Sequence, residues 1–514
     1  MRPTFLAFQT AGRALAASQA NINVTGNNIA NVETDGYSRQ RTDQNSISQS
    51  GYTQKFANKN VSTGFGVEVS RVSQIRDPFL DARFRNQASE TSMYNTILGG
   101  LGDLERVIDE ASNVKLQNEI SNFINQLQIL TQTPTSKDIA LVARTAAHKV
   151  TEMLNVYSAQ INEVRDQQIH DLSKVIIDTD FNTLVKNIAN LNVQIREELT
   201  HGNTPNELYD QRNTFIDQLA GIANIKVTTL PEKISEDLII ENLNISIYDE
   251  VTRQAIPIVK NGLYNTLSAV IDPSSKNMTI EMNSSFGNTH GDVTSYFSSG
   301  SIKANLDLIN GSGTYAESGG NPFRGTLYYE KAVDTFAANF ARVLNDLNVH
   351  PVNGSQPLFT DGDGNTTGIT ARNISISEEW MKDSQYIVTT ESTGNTGEPD
   401  NIMKMIVTLT SDIEFYKDGA GPPSAFKGKP SEYMSGLIGE LSLDYELHQN
   451  FANAANTIQN NLFAARESVS GVNLDEEGIN LMAYQKSYNA AARYFTVLDE
   501  AVDLIINRMG LVGR

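Results

Sequence analysis

The chain has 514 residues, enough for about three domains. Its 40 Lys and Arg face 60 Asp and Glu, a formal net charge of −20, which excludes a protein that coats nucleic acid and needs a basic face to replace phosphate counterions. Cysteine is absent, which excludes disulfide scaffolds, thiolate metal sites and cysteine nucleophiles.

The first segment is strongly periodic. Phe5, Phe8, Gly12, Leu15, Gln19, Ile22, Gly26 and Ile29 alternate at spacings of three and four. Phe8, Leu15, Ile22 and Ile29 recur every seven residues, a heptad seam on a helix. Thr34-Asp35-Gly36 supplies the turn that ends it. The first 32 residues contain no acid, and amides fill their polar positions. Such a helix packs on several sides without desolvating ions. The start also lacks the continuous apolar stretch of a secretory signal, because Gln9, Thr10, Gly12 and Arg13 interrupt it. The expectation is a cytosolic chain, or one exported by a route that needs no cleaved signal.

Asp77-Pro78 opens a helix carried on by Leu80, Phe84, Ala88, Thr91, Tyr94, Leu98 and Leu101. Leu116, Ile120, Phe123, Leu127 and Leu130 mark a second, ended by Pro134. From Asp138 to about Thr200 no Gly or Pro intervenes, which predicts one very long helix or two with a joint near Asp178-Thr179-Asp180. A shorter helix spans about 206–220. At Ile225 the character changes to short β-branched runs between turn residues: 226–230, 238–241, 244–248, 255–259, 268–271 and 279–282. A helix follows over about 327–347. The Gly-, Asn- and Pro-rich stretch 351–430 reads as a second surface insertion with a few short strands. A long helix over about 432–469 precedes the C-terminal segment.

That last segment repeats the heptads. Leu481, Tyr488, Phe495, Val502 and Met509 recur every seven residues, as do Tyr484, Ala491, Leu498, Ile505 and Val512. Asn473, with Glu476 three residues on, is placed to cap the helix. The expected fold class is α+β and multidomain: long terminal coiled-coil helices, an elongated helical bundle and antiparallel β-rich insertions. The expected domains are nested. Residues 1–70 with 471–514 form a terminal helical assembly unit, and 71–224 with 311–350 and 431–470 form the rod-like bundle. Residues 225–310 form a β-rich inserted domain, and 351–430 the irregular insertion. The whole surplus of negative charge sits in residues 71–470, because residues 1–70 sum to +2 and residues 471–514 to −2.

Catalytic patterns are lacking. His148, His170, His201, His290, His350 and His448 have no metal-ligand spacing, and no HExxH, nucleophile elbow or phosphate loop occurs. No catalytic residue, metal site or cofactor is assigned. Asp361-Gly362-Asp363-Gly364-Asn365 starts like a calcium loop, but Thr366 stands where such a loop needs Gly, and Arg372 where it needs an acid. A solvated acidic turn is the simpler reading.

Both ends resemble a known family. Asn28-Ile29-Ala30-Asn31, followed by Gly36-Tyr37-Ser38-Arg39-Gln40, is similar to the N-terminal signature of bacterial flagellar rod, hook and hook-associated axial proteins. Ser470-Gly471-Val472-Asn473-Leu474-Asp475-Glu476-Glu477, with 484–492 beyond it, resembles the C-terminal signature of the hook-associated members at the hook–filament junction. Leu208-Tyr209-Asp210-Gln211-Arg212 and Pro357-Leu358-Phe359 agree more weakly. Asp35 stands where the family usually has Pro, and Arg13-Ala14 replaces a common Gly-Leu.

The resemblance implies a non-enzymatic structural protein. It would be exported through the flagellar type III apparatus and would polymerise through its terminal helices between hook and filament. It implies self-assembly and contacts with the hook protein and a second junction protein. It also implies a cytoplasmic export chaperone on the C-terminal helix, and neither nucleic acid nor a membrane span. Phe8, Leu15, Ile22 and Ile29 are expected to meet Leu481, Tyr484, Tyr488, Phe495, Leu498, Val502, Ile505 and Met509. The ends are expected to tighten only when neighbouring copies arrive. Two other readings are another axial protein, the second junction protein or a flagellin, and a secreted calcium-dependent carbohydrate-binding protein built on the middle of the chain. Flagellin-type N-termini lack the Gly-Tyr-Ser-Arg-Gln stretch.

Overall fold

A computed structural model describes residues 5–47, 64–110, 113–233, 239–248, 254–286, 291–317, 320–392, 397–419 and 421–508. Helix α1 (Phe5–Ala30) leads into the antiparallel hairpin β1 (Gln40–Ser46) and β2 (Val67–Gln74), which runs from Gln40↔Gln74 to Ser46↔Val67 with a bulge at Asp43/Gln44. The chain closes with α11 (Pro430–Ser470) and α12 (Leu474–Arg508). First and last elements therefore come together: α12 packs antiparallel along α1, and the hairpin packs on α1 as well.

The body is helical. Helix α2 (Pro78–Glu110) starts where the Asp77 carboxylate accepts the Phe79 N–H at 2.8 Å. Helix α3 (Asn113–Gln132) follows, ending just ahead of Pro134. Helix α4 (Lys137–His170) is capped by Ser136 Oγ, which accepts the Ile139 N–H at 3.4 Å. The expected joint near Asp178 is not a break. The helix widens into a π-helical stretch, Asp171–Phe181, and continues as α5 (Asn182–Thr200). Within it the Thr179 hydroxyl donates to the Lys174 carbonyl, five residues back, at 2.8 Å. Helix α6 (Asn206–Ile222) completes this half.

The β-rich segment holds one four-stranded antiparallel sheet: β3 (Ile225–Lys233), β4 (Ile239–Tyr248), β5 (Ala255–Lys260) and β6 (Leu263–Tyr264). The separate hairpin β7 (Thr266–Ile271) and β8 (Met278–Asn283) lies beside it. The runs expected at 238–241 and 244–248 are a single strand. The end of this segment corrects the sequence reading: residues 300–310, expected inside the β domain, form helix α7 (Gly300–Asn310). Ile302, Ala304, Leu306, Leu308 and Ile309 are all buried, so no amphipathic period was visible.

Helix α8 (Thr326–Leu347) is followed by the short pairs β9 (Val349–His350) with β10 (Gly354–Ser355) and β11 (Phe359–Thr360) with β12 (Ser375–Ile376). Then come α9 (Glu378–Lys382), α10 (Asp400–Thr410) and the hairpin β13 (Ile413–Tyr416) with β14 (Ser424–Gly428). This is the second correction, because 351–430 is not a surface insertion. Trp380 is fully buried, its ring edge-on to Phe359 at 5.9 Å, and Phe336 stacks between Phe340 and Phe415 at 6.0 Å each. These residues join α2, α3, α4, α8 and α11 in one core. A second core unites the π-helical stretch, α5, α6, α7 and the sheets. Among the described residues no helix is long and apolar enough to cross a membrane.

Candidate assembly surface

The terminal helices α1 and α12 pack against each other. Phe8 meets Phe495 edge-on, with ring centroids 5.2 Å apart. Phe8, Leu15, Ile22 and Ile29 are half-buried, as are Leu481, Tyr484, Leu498 and Val502. Tyr488 and Phe495 sit at the rim, 37% and 38% exposed, and Ile505 is 47% exposed. Met509 and Val512 lie outside the described residues. The reading missed a second apolar set on α12. Ile479, Val497 and Leu504 are exposed by half or more, and at 100° per residue they fall opposite the seam. The outward positions of α1 are Gln9, Ala16, Gln19, Asn23 and Gly26, all uncharged.

At the base of this pair the two signature strings converge on Asn28, which is fully buried. Its carbonyl oxygen accepts the Tyr37 hydroxyl at 2.9 Å and the Gln40 N–H at 3.0 Å. Its amide nitrogen donates to the Gln40 carbonyl at 2.9 Å and to Glu477 at 3.3 Å. Arg39 donates through Nε to Glu477 at 2.8 Å and through Nη1 to Glu476 at 2.9 Å, and its N–H donates to the Ser470 carbonyl at 2.8 Å. Asn473 caps α12 as expected, its side-chain oxygen accepting the N–H groups of Asp475 and Glu476 at 2.9 and 3.3 Å. Asn31 donates back to the Asn27 carbonyl at 2.9 Å, holding the end of α1.

Gly36 has φ +77°, and a Cβ there would overlap Thr214 on α6. Ser38 donates its N–H to Asp210 at 3.2 Å, and Arg76 reaches the Ser38 hydroxyl at 3.1 Å. Burial pushes the Asp210 carboxyl up, with the Ser38 hydrogen bonds and Arg76 opposing it. Burial also raises the Tyr37 hydroxyl, aided by Asp210, Glu207 and Glu477, so it stays a donor. Asp210 was legible only as part of the weaker internal string. Its contact with the N-terminal turn joins residues 172 positions apart, which no local pattern encodes. Of the two departures from the family pattern, Arg13 donates to the Phe65 carbonyl at 3.0 Å, tying α1 to the start of β2. Asp35 is exposed in the turn.

Elsewhere, Asp361 closes its own turn. Its carboxylate accepts the N–H groups of Asp363 and Asn365 at 3.0 and 2.7 Å and the Asn365 amide at 3.0 Å, which hold it below the usual carboxylate range.

Comparison with known proteins agrees with both ends and the middle. Residues 101–356 match the flagellar hook-associated protein FlgK helical domain, and residues 8–37 match the flagella basal body rod protein family. Flagellar hook-associated protein 1 of Bacillus subtilis (strain 168) is 30% identical over the full length of both chains. That of Salmonella typhimurium is 27% identical over 42% of this chain and 37% of its own. The flagellar hook junction protein FlgK from Burkholderia pseudomallei shares the fold at a TM-score of 0.57 and 11% identity, over 76% of this chain and all of that one. With full-length identity to a hook-associated protein 1, and with both signature strings meeting at one buried asparagine, this chain belongs to the flagellar hook-associated protein 1 family.

Proposed function

We propose that the chain is a structural subunit of the flagellum that polymerises through its terminal helices to join hook to filament. The observation that carries this reading is the two-sided apolar character of α12. One face lies on α1, and the other presents Ile479, Val497 and Leu504 to solvent beside an uncharged α1 surface. A helix with apolar residues on both sides is undersatisfied in one copy and needs a second partner. The charge-free outer face of α1 on a neighbouring copy suits it, because that face adds no ion to the contact beyond Lys486 and Arg493 of α12 itself. The acidic body would then face outward, where salt screens its self-repulsion.

On this reading the hook protein lies on one side of the ring and a second junction protein on the other. The chain leaves the cytoplasm through the flagellar type III apparatus, with a chaperone covering α12 until then. The role is mechanical rather than catalytic. The test is complementation of a strain lacking the protein, using the full chain and a chain without residues 1–31 and 480–514. The full chain should restore filaments. The shortened one should leave bare hooks and filament subunits in the medium. Filament growth on the shortened chain would overturn the proposal.

A further inference from the structure

Asparagine followed by glycine is the pair most prone to lose its side-chain amide, because no Cβ hinders the glycine nitrogen as it approaches the asparagine Cγ. The chain has three such pairs, Asn261-Gly262, Asn310-Gly311 and Asn353-Gly354. The reaction needs the side chain to swing onto the following nitrogen, so the fold decides which of them can react.

Asn310, at the end of α7, is locked. Its side-chain oxygen accepts the Met278 N–H at 2.8 Å, and its amide donates to the Met278 carbonyl at 2.7 Å. Gly311 is buried, and its N–H donates to the Asp307 carbonyl at 2.9 Å. Asn261, in the turn between β5 and β6, is held as well. Its side-chain oxygen is closed to solvent, its carbonyl accepts the Asn192 amide at 2.9 Å, and Gly262 lies against Val193 on α5.

Asn353 differs on each count. Residues 351–355, the tip of the β9–β10 hairpin, are all exposed. The Asn353 N–H donates to His350 Nδ1 at 3.1 Å, while its side chain makes no hydrogen bond among the described residues. The space around Gly354 is open. Gly354 pairs with His350 in a ladder of only two residue pairs, so its N–H comes free whenever the tip frays. The base of the hairpin is fixed instead. Asn348 is buried there, its amide donating to the Gln356 carbonyl at 2.7 Å and its oxygen accepting the Val388 N–H at 2.7 Å. Only the exposed tip has to open for the reaction.

We infer that Asn353 is a site of spontaneous deamidation in the folded protein, and that the fold protects Asn261 and Asn310. Solvent base takes the Gly354 N–H proton, the nitrogen bonds to Asn353 Cγ, and the Cγ–Nδ2 bond breaks. Nδ2 takes a proton back from solvent and leaves as ammonia. Water then opens the cyclic imide at either carbonyl, giving an aspartyl or an isoaspartyl residue. Each event adds one negative charge to a chain of net charge −20. The isoaspartyl product also lengthens the backbone by one carbon between His350 and Gly354. The inference is independent of polymerisation.

The test is timed incubation of the full chain at mildly alkaline pH, followed by peptide mass spectrometry and an isoaspartyl methyltransferase assay. The peptide holding Asn353 should gain one mass unit about a hundredfold faster than those holding Asn261 or Asn310, the order of rate lost when reacting atoms are misplaced. The same incubation in denaturant should bring the three rates together, because the reacting pair is the same. Asn353→Gln keeps the amide but requires a larger ring, so it should abolish the isoaspartyl signal of the native chain. Equal rates at the three pairs in the native chain, or a first conversion at Asn261 or Asn310, overturns the inference. So does an isoaspartyl signal that survives Asn353→Gln.

Discussion

The side-chain amide of Asn28 donates to the carboxylate of Glu477 at 3.3 Å, a hydrogen bond between residues 449 positions apart. Asn28 is fully buried and makes four hydrogen bonds, to α12, to the turn and to both backbone groups of Gln40. Asn28→Ala should therefore cost about 1–3 kcal/mol, because the Gln40 backbone groups lose their partner while still buried. Asn28→Asp should cost more, since it sets a carboxylate against Glu477 and removes two donated hydrogen bonds. Denaturant unfolding of the full chain would read the loss. Hydrogen exchange should localise it to 20–45 and 470–490, leaving the core around Phe336 protected.

Gly36 offers a second, separable test of the same base. An alanine there meets two obstacles: a left-handed backbone angle and the Thr214 hydroxyl. The angle alone costs about 1–2 kcal/mol. Gly36→Ala should exceed that figure, and adding Thr214→Ala should return only the steric part. Equal stability of the single and double variants would show that Thr214 simply rotates away.

Asp334 on α8 should give the chain an unusual dependence on pH. Its carboxyl accepts the Ala371 N–H at 2.8 Å, and burial pushes it up to about 6, with Glu330 nearby adding to the rise. The folded value lies above the unfolded one, so the native state holds this proton more tightly. Its stabilising contribution is full below about pH 4 and is lost as the pH rises through 6. Asp334→Asn keeps an acceptor for Ala371 without a charge to desolvate. It should match the parent at pH 4 and exceed it by about 1–2 kcal/mol at pH 7. Thermal unfolding of both proteins across that range checks the sign. A constant difference would assign the effect to packing instead.

Periodic segments were legible and irregular ones were not. The heptads of α1 and α12 gave both helices, because a repeat of seven leaves one stripe apolar whatever the partner. The signature strings pointed to the residues around Asn28 but not to their geometry, which depends on a meeting of chain ends. Residues 351–430 misled for a physical reason. Gly and Pro mark turns reliably, yet the apolar residues scattered between them, Phe359, Trp380 and Phe415 among them, sit in the deepest core. Composition averages such residues away. The outer stripe of α12 escaped notice because Ile479, Val497 and Leu504 are separated by Lys486 and Arg493 along the same face.

Phe495 separates folding from assembly. In the single chain its ring is 38% exposed and touches Phe8 edge-on. Truncation to alanine should then lower the stability of the isolated protein by only about 1 kcal/mol, the worth of one such ring pair. If neighbouring copies cover it completely, the same truncation should cost about 3–5 kcal/mol for each subunit placed in the ring. The isolated variant should therefore unfold almost like the parent while failing to support filament growth on hooks. Val497→Ala, on the opposite face and with no ring contact to lose, should show the same divergence in purer form. Normal motility in both variants would mean that neither face of α12 is covered by another copy, and the polymerisation surface would have to be sought on the hairpin or on α11.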